Sequence, residues 1–332
     1  MERPVLVAPD SFKGTFRAAQ VAGAIGRGLE RAGLMPPDLL PLADGGDGTL
    51  DALLVNLGGE TVSARVQDPL GREIEAGYAL IEDGGTALIE MAAASGLSLV
   101  AEDERDAWNA TTYGTGQLIA DAVARGVQVI LAALGGSATT DGGAGALEAI
   151  EDAGGLQGAK IVILSDVQTP WERCAEVYGP QKGADAEMVK RLATRLDELA
   201  SKLPKDPRGV PMSGAAGGLS GGLWAQHDAA LEAGAPWILD TLGFDERMRA
   251  ARAVVTGEGK LDEQTLQGKL VGEIGTRTRQ AGVPLHAIVG TDALDAFGKR
   301  MIDLQVVTAA TTLEEIEAAG EDLGRRLATG ES

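Results

Sequence analysis

The sequence predicts an α/β protein in which a discontinuous, doubly wound parallel-sheet domain is interrupted by an inserted mixed α/β domain. Three observations carry this reading. Short apolar runs alternate with helical stretches at both ends of the chain, the middle opens instead with three strands in quick succession, and glycine-rich polar clusters follow several of the runs. The boundaries expected are 1–60 with 246–332 for the parallel domain and 61–245 for the insert, with an active site in the cleft between them.

The elements justify the division in order. Residues 5–10 (VLVAPD) form an apolar run, and from about Thr15 to Ala32 the residues Ala18, Val21, Ala22, Ile25 and Leu29 recur at helical spacing. DLLPLADGG and GTLDALLVNLGG repeat the βα pattern, with Gly58 and Gly59 closing the second helix. Residues 61–67, 73–82 and 86–91 then read as strands joined by the turns DPLG and DGG, an antiparallel meander foreign to βα alternation. Beyond residue 115, strands in GVQVILAAL and AKIVILSD and an amphipathic helix at 185–203 are separated by glycine-rich loops. Alternation returns with ARAVVTGEG, PLHAIVG and DLQVVTAA and a helix at 312–327. Two N-terminal and three C-terminal strands suffice for one five-stranded parallel sheet of flavodoxin-like or Rossmann-like type.

Composition narrows the function. With 332 residues, 44% hydrophobic and 23% charged, the chain has a globular balance and room for two domains. A net charge of -20 speaks against nucleic acid or an anionic membrane as partner. Lysines inside glycine-rich loops (Lys13, Lys182, Lys260, Lys269) are therefore informative, because an acidic protein that binds an anion needs a local reversal of field. The single cysteine, Cys174, permits no intrachain disulfide, and neither His227 nor His286 has metal-ligand spacing; all three read as structural. No targeting segment is expected from the N-terminal MERPVLVAPDS, and no apolar run reaches about 18 residues, so the expected location is the cytoplasm.

The chemistry concentrates in the loops. Residues 135–143 (GGSATTDGG) place four glycines, three hydroxyls and Asp141 directly after an apolar run, the composition of a phosphate cradle with an acid able to hold Mg²⁺. APDSFKG (8–14), ADGGDGT (43–49) and TGEGKLDEQTLQGK (256–269) should all crown the carboxyl edge of the parallel sheet, where open α/β sheets bind ligands. YGPQKGAD (178–185) directs a lysine from a short loop, with a helix start behind it to favour an anion, whereas the uncharged SGAAGGLSGG (213–222) reads as packing glycine. P-loop, dinucleotide-binding GxGxxG and protein-kinase motifs are missing.

Taken in order, APDSFKG, ADGGDGT, YGTGQLI, GGSATTDGGAG, YGPQKGA, GAAGGL and TGEGKLDEQTLQGK resemble the class I glycerate kinases, over most of the chain. The resemblance implies ATP and Mg²⁺, D-glycerate as acceptor with its 2-hydroxyl favoured over the 3-hydroxyl, and two domains. Three departures stand out: Thr140 where relatives carry Asn, a short EDAGGLQGA before KIVILSD, and Ser165 in place of a cysteine beside Asp166.

On this reading Asp10, Lys13, Asp44, Lys182 and Asp262 are the catalytic candidates. Lys13 and Lys182 would stabilise the transferring phosphoryl group or the substrate carboxylate, and the base would come from Asp10, Asp44, Asp166 and Asp262, with Asp262 or Asp44 first. Substrate and ATP contacts are expected from Ser11, Gly45, Gly46, Gly114, Thr115, Gly135, Gly136, Ser137, Thr139, Gln181, Glu258, Lys260, Gln264 and Lys269, and metal contacts from Asp141 and Asp166. The partners are small molecules, with the chain a monomer or homodimer. A non-catalytic sugar-acid sensor and a Mg²⁺-dependent phosphate-ester hydrolase are the readings from other classes.

Overall fold

The computed structural model describes residues 3–12, 14–46, 48–266 and 269–330. The expectation for Lys13 falls outside the described residues. The chain divides into two compact units, one of Met1–Asp44, Asp51–Leu57 and Ala235–Ser332, the other of Gly45–Leu50 and Gly58–Gly234.

The first unit is built on a five-stranded, all-parallel sheet in the order Leu304–Ala309, Leu285–Val289, Ala253–Thr256, Val5–Val7, Asp38–Leu39. Its three central strands are buried along their whole length, which is why they read as unbroken apolar runs. Helix Ala18–Arg31 begins where the Gln20 side chain accepts the Arg17 N–H at 3.0 Å, and Val21, Ala22, Ile25 and Leu29 bury one stripe into a core with Val5, Val7, Val255 and Ile288. Helix Leu313–Thr329 supplies Ile316, Leu323 and Leu327 to the same core. These two helices meet backbone to backbone: a Cβ on Gly28 would lie 2.1 Å from the Glu317 carbonyl oxygen, so no larger residue fits there. Helix Leu270–Ala281 contributes Val271 to a second core with Ala287 and Val289.

The second unit holds a six-stranded mixed sheet in the order Glu60–Gln67, Glu73–Ile81, Thr86–Glu90, Val129–Ala133, Lys160–Leu164, Ala230–Glu232. The first two pairings are antiparallel, as the meander predicted, and the rest are parallel. The meander is thus continued by parallel strands within one sheet: Thr86–Glu90 pairs antiparallel on one side and parallel on the other. Tyr78, Leu118, Ile119, Ile130, Ile161, Leu219 and Leu223 form its main core, and Trp171, Cys174, Leu192 and Leu196 a smaller one. Among the described residues no helix is long and apolar enough to cross a membrane.

Candidate functional site

In the first unit the three strand-end segments come together. Beyond the strands proper, Ala8 N–H donates to Val255 O and Asp10 N–H to Gly257 O, both at 2.8 Å, so the pairing of neighbouring strands runs on into the loops and fixes where their side chains emerge. Asp10, Ser11, Asp44, Glu258, Lys260, Asp262, Gln264 and Lys269 line one pocket of about 440 Å³. Asp10 and Asp44 are buried, and the Ser11 amide donates to Asp10 Oδ1 at 2.6 Å. Thr265, a residue sequence reasoning passed over, ties the far wall: its hydroxyl donates to Glu258 Oε1 at 2.7 Å and accepts the Asp262 N–H at 3.1 Å.

Asp262 meets Lys260 Nζ at 3.0 Å through Oδ2 and the Gln264 N–H at 3.0 Å through Oδ1. Burial pushes its pKa up, but these bonds and the charges of Lys260 and Lys269 outweigh burial and hold it below the ordinary carboxylate value. Lys269 in turn donates to Gln264 Oε1 at 2.9 Å. The pocket is an arrangement of acids and ammonium groups in which Asp262 stays ionised near neutral pH.

The second unit holds the 135–143 loop, between strand Val129–Ala133 and helix Ala144–Asp152. Gly136, Gly142 and Gly143 have positive φ, and a Cβ on Gly142 would sit 2.7 Å from the Trp171 ring, so composition and conformation agree. The loop's polar groups turn inward. Asp141 Oδ2 accepts from the Thr112 N–H and hydroxyl, both at 2.8 Å, and from Gly145 N–H at 3.2 Å, while Oδ1 accepts from Gly143 N–H at 3.1 Å. A carboxylate holding four donors anchors the loop to Thr112 and the helix start, and its lone pairs are engaged where the sequence suggested a metal.

Lys182 is 1% exposed; its ammonium donates to Ser137 Oγ at 2.8 Å and to Thr139 O at 2.5 Å. Burial pushes its pKa down to about 8, against the opposing influence of Cys174 and Asp141. It holds the loop from within, where the sequence suggested contact with a phosphoryl group. Gln181 is exposed, and its carbonyl accepts from Arg105 at 3.3 Å. The anion expected at the next helix start is the protein's own: Asp185 caps Glu187 N–H and Met188 N–H.

Other expected contacts resolve into framework. A Cβ on Gly114 would lie 1.8 Å from the Gln67 carbonyl oxygen, and one on Gly45 2.9 Å from Gly234 Cα, so both glycines permit close backbone approach. Thr115 is buried and donates to Ser95 Oγ at 2.7 Å. Gly46 O accepts the Thr49 hydroxyl at 2.7 Å. Gly136 is exposed and Gly135 half-buried, with Leu97 N–H on Gly136 O at 2.8 Å. Ser137 and Thr139 are buried. SGAAGGLSGG packs as expected, Gly217 O taking the Gly142 N–H at 3.0 Å. Asp166 stands two positions beyond the end of strand Lys160–Leu164.

A magnesium ion commonly takes one or two carboxylates, substrate phosphates and water rather than a dedicated cage. Among the described residues no group of three or more His, Cys, Asp or Glu is arranged to hold an ion. An ion that arrives with a nucleotide would need only a single carboxylate from the chain, such as Asp166.

Fold and sites together define a class, a two-unit α/β protein with an acid- and lysine-lined pocket at the carboxyl ends of parallel strands and a separate glycine-rich loop held by the buried Lys182. The chain belongs to the glycerate kinase family, whose profile matches residues 5–153 and 152–329. Members are kinases that transfer phosphate to an alcohol group. The chain is 37% identical to the glycerate kinase of Halalkalibacterium halodurans, across 96% of this chain and 94% of that one. It is 34% identical to the glycerate 2-kinase of Escherichia coli (strain K12), across 94% and 92%. A solved structure from Salmonella typhimurium LT2, described as a candidate glycerate kinase 2, superposes with a TM-score of 0.84 at 32% identity over 100% of both chains.

Proposed function

We propose that this protein transfers the γ-phosphoryl group of ATP to the 2-hydroxyl of D-glycerate, giving 2-phosphoglycerate and ADP. The observation that carries the reading is the convergence of Asp10 and Ser11, of Asp44, and of Glu258, Lys260, Asp262, Gln264 and Lys269 on one polar pocket in a chain of this family. The pocket takes glycerate, with Lys260 and Lys269 near its carboxylate. Nucleotide phosphates lie against the exposed tip of the 135–143 loop at Gly136. Phosphoryl transfer asks little covalent work of a protein, and positioning with charge neutralisation is the main task of both sites.

Asp44 is assigned as the base that accepts the hydroxyl proton. It lines the pocket and is buried in its wall. Mg²⁺ held by Asp166 would neutralise charge on the phosphates. Asp141 and Lys182 are given positioning roles, and Lys13 keeps its proposed role of stabilising the transferring phosphoryl group or the substrate carboxylate.

Release of ADP measured with D-glycerate, L-glycerate and no acceptor tests the reading. Release only with D-glycerate is expected. Release without acceptor would make the protein a hydrolase, and no release a sensor. Phosphorus NMR of the product distinguishes the 2-phosphate from the 3-phosphate. Asp44→Asn should lower kcat by about 10²–10⁴-fold, as loss of a general base does; an unchanged kcat would remove Asp44 from the role.

A further inference from the structure

We infer that Arg195, on helix Ala186–Ala200, is a positioning residue for the nucleotide loop, fixing the stem of residues 139–141 so that the tip at 135–136 is presented in one conformation. The inference rests on the proposed nucleotide site. Arg195 Nη2 donates to Thr140 O at 2.7 Å and Nη1 to Trp108 O at 2.6 Å, while its guanidinium lies 4.5 Å from the centre of the Trp108 ring. Lys182 takes the preceding carbonyl, Thr139 O. Two cations from different segments therefore hold two consecutive carbonyls.

The side chains of the same residues do not share the task. Thr139 and Thr140 are fully buried, and their hydroxyls have no hydrogen-bond partner among the described residues. The stem is held by its carbonyl groups, and a trans peptide whose carbonyl is fixed has its following N–H fixed as well. Trp108, at the other end of the clamp, is itself fixed: Asp106 accepts its N–H and that of Asn109, each at 3.0 Å. Arg195 thus links the loop to a rigid turn through bonds that a lysine could make only in part, because the planar guanidinium reaches both carbonyls at once.

The test compares KM for each substrate in wild type, Arg195→Met, Arg195→Lys and Arg191→Met. Arg191 stacks on the same ring at 4.4 Å and serves as the control for loss of stacking alone. Arg195→Met should raise KM for ATP by about tenfold or more, on the scale at which small misplacements of a binding group act, with KM for D-glycerate unchanged. Arg195→Lys should recover part of the loss, and Arg191→Met should match wild type. An unchanged KM for ATP in Arg195→Met, or equal rises for both substrates, would overturn the inference. If Arg195→Met does not fold, an Arg195→Lys enzyme with wild-type KM for ATP would do the same. Titration calorimetry of wild type with ATP separates the two levels: no heat of binding removes the nucleotide reading itself, whereas binding with insensitive variants removes only the role of Arg195.

Discussion

The two polar regions of this protein use the same residue types to opposite ends. In the first unit, Asp10, Asp44, Asp262, Lys260 and Lys269 surround an open volume of about 440 Å³. In the second unit, Asp141, Lys182 and Arg195 direct their polar atoms at backbone amides, carbonyls and hydroxyls of the protein itself. A cluster of acids and lysines in glycine-rich sequence can border an open volume or be the rigging of a loop, and the difference lies in whether the side chains line a pocket or are packed into the stem of a loop.

Three substitutions or conditions break or sharpen this contrast. The largest expected effect on stability is at Asp141. Asp141→Ala leaves buried donors on Thr112, Gly143 and Gly145 without their acceptor, and several lost charge-assisted bonds should cost about 3–5 kcal/mol in urea denaturation, with or without Mg²⁺. A loss that appears only in the presence of Mg²⁺ would restore the metal role for this residue.

Next is His286, in a central strand of the first unit. It is 1% exposed, neither ring nitrogen has a partner among the described residues, and burial pushes its pKa down to about 4. The folded form therefore keeps the ring neutral while the unfolded chain protonates near its ordinary value of 6.5. Stability from this group is complete above pH 6.5 and is lost as pH falls towards 4, by about 3 kcal/mol in all. Wild type and His286→Leu, compared at pH 7 and 4.5, should differ in how much stability each loses, and equal losses would show that the strand accommodates the charged ring.

The smallest effect is at Lys260, whose pairing with Asp262 lies at the pocket edge with the lysine side chain 63% exposed. Lys260→Met should change stability by less than about 1 kcal/mol, as exposed pairs do, while raising KM for D-glycerate. A large fall in stability with KM unchanged would make this residue framework, as in the second unit.

What could be read from the sequence follows from this contrast. The parallel strands announce themselves because strands buried on both faces must be apolar throughout, and pocket-lining polar groups follow their carboxyl ends, as Asp10, Asp44 and Glu258 do. The rigging of the 135–143 loop was not legible, because its partners are distant: Asp141 meets Thr112 29 positions away, Lys182 meets Ser137 45 away, and Arg195 meets Thr140 55 away. Nothing distinguishes Arg195 from the other charged residues of an amphipathic helix until the fold brings a carbonyl to it. Thr112 did carry a signal, as a hydroxyl directly before YGTG, yet a hydroxyl before a helix is ordinarily a cap. That Thr86–Glu90 joins a meander to parallel strands was equally hidden, since strand pairing is a property of neighbours and the run TALIE fits either kind.

The order of the strands also sets a timetable for synthesis. The Thr256 hydroxyl reaches the Ala8 carbonyl across 248 positions, and strand Val5–Val7 pairs with Ala253–Thr256. At roughly 5–20 residues per second, the first strand leaves the ribosome some tens of seconds before its central neighbour exists. All residues of the second unit are made within that interval. A nascent chain stalled once residue 234 has emerged should resist protease over 58–234 while its N-terminal residues are cut, and the first unit should become resistant only after the C-terminal strands are added.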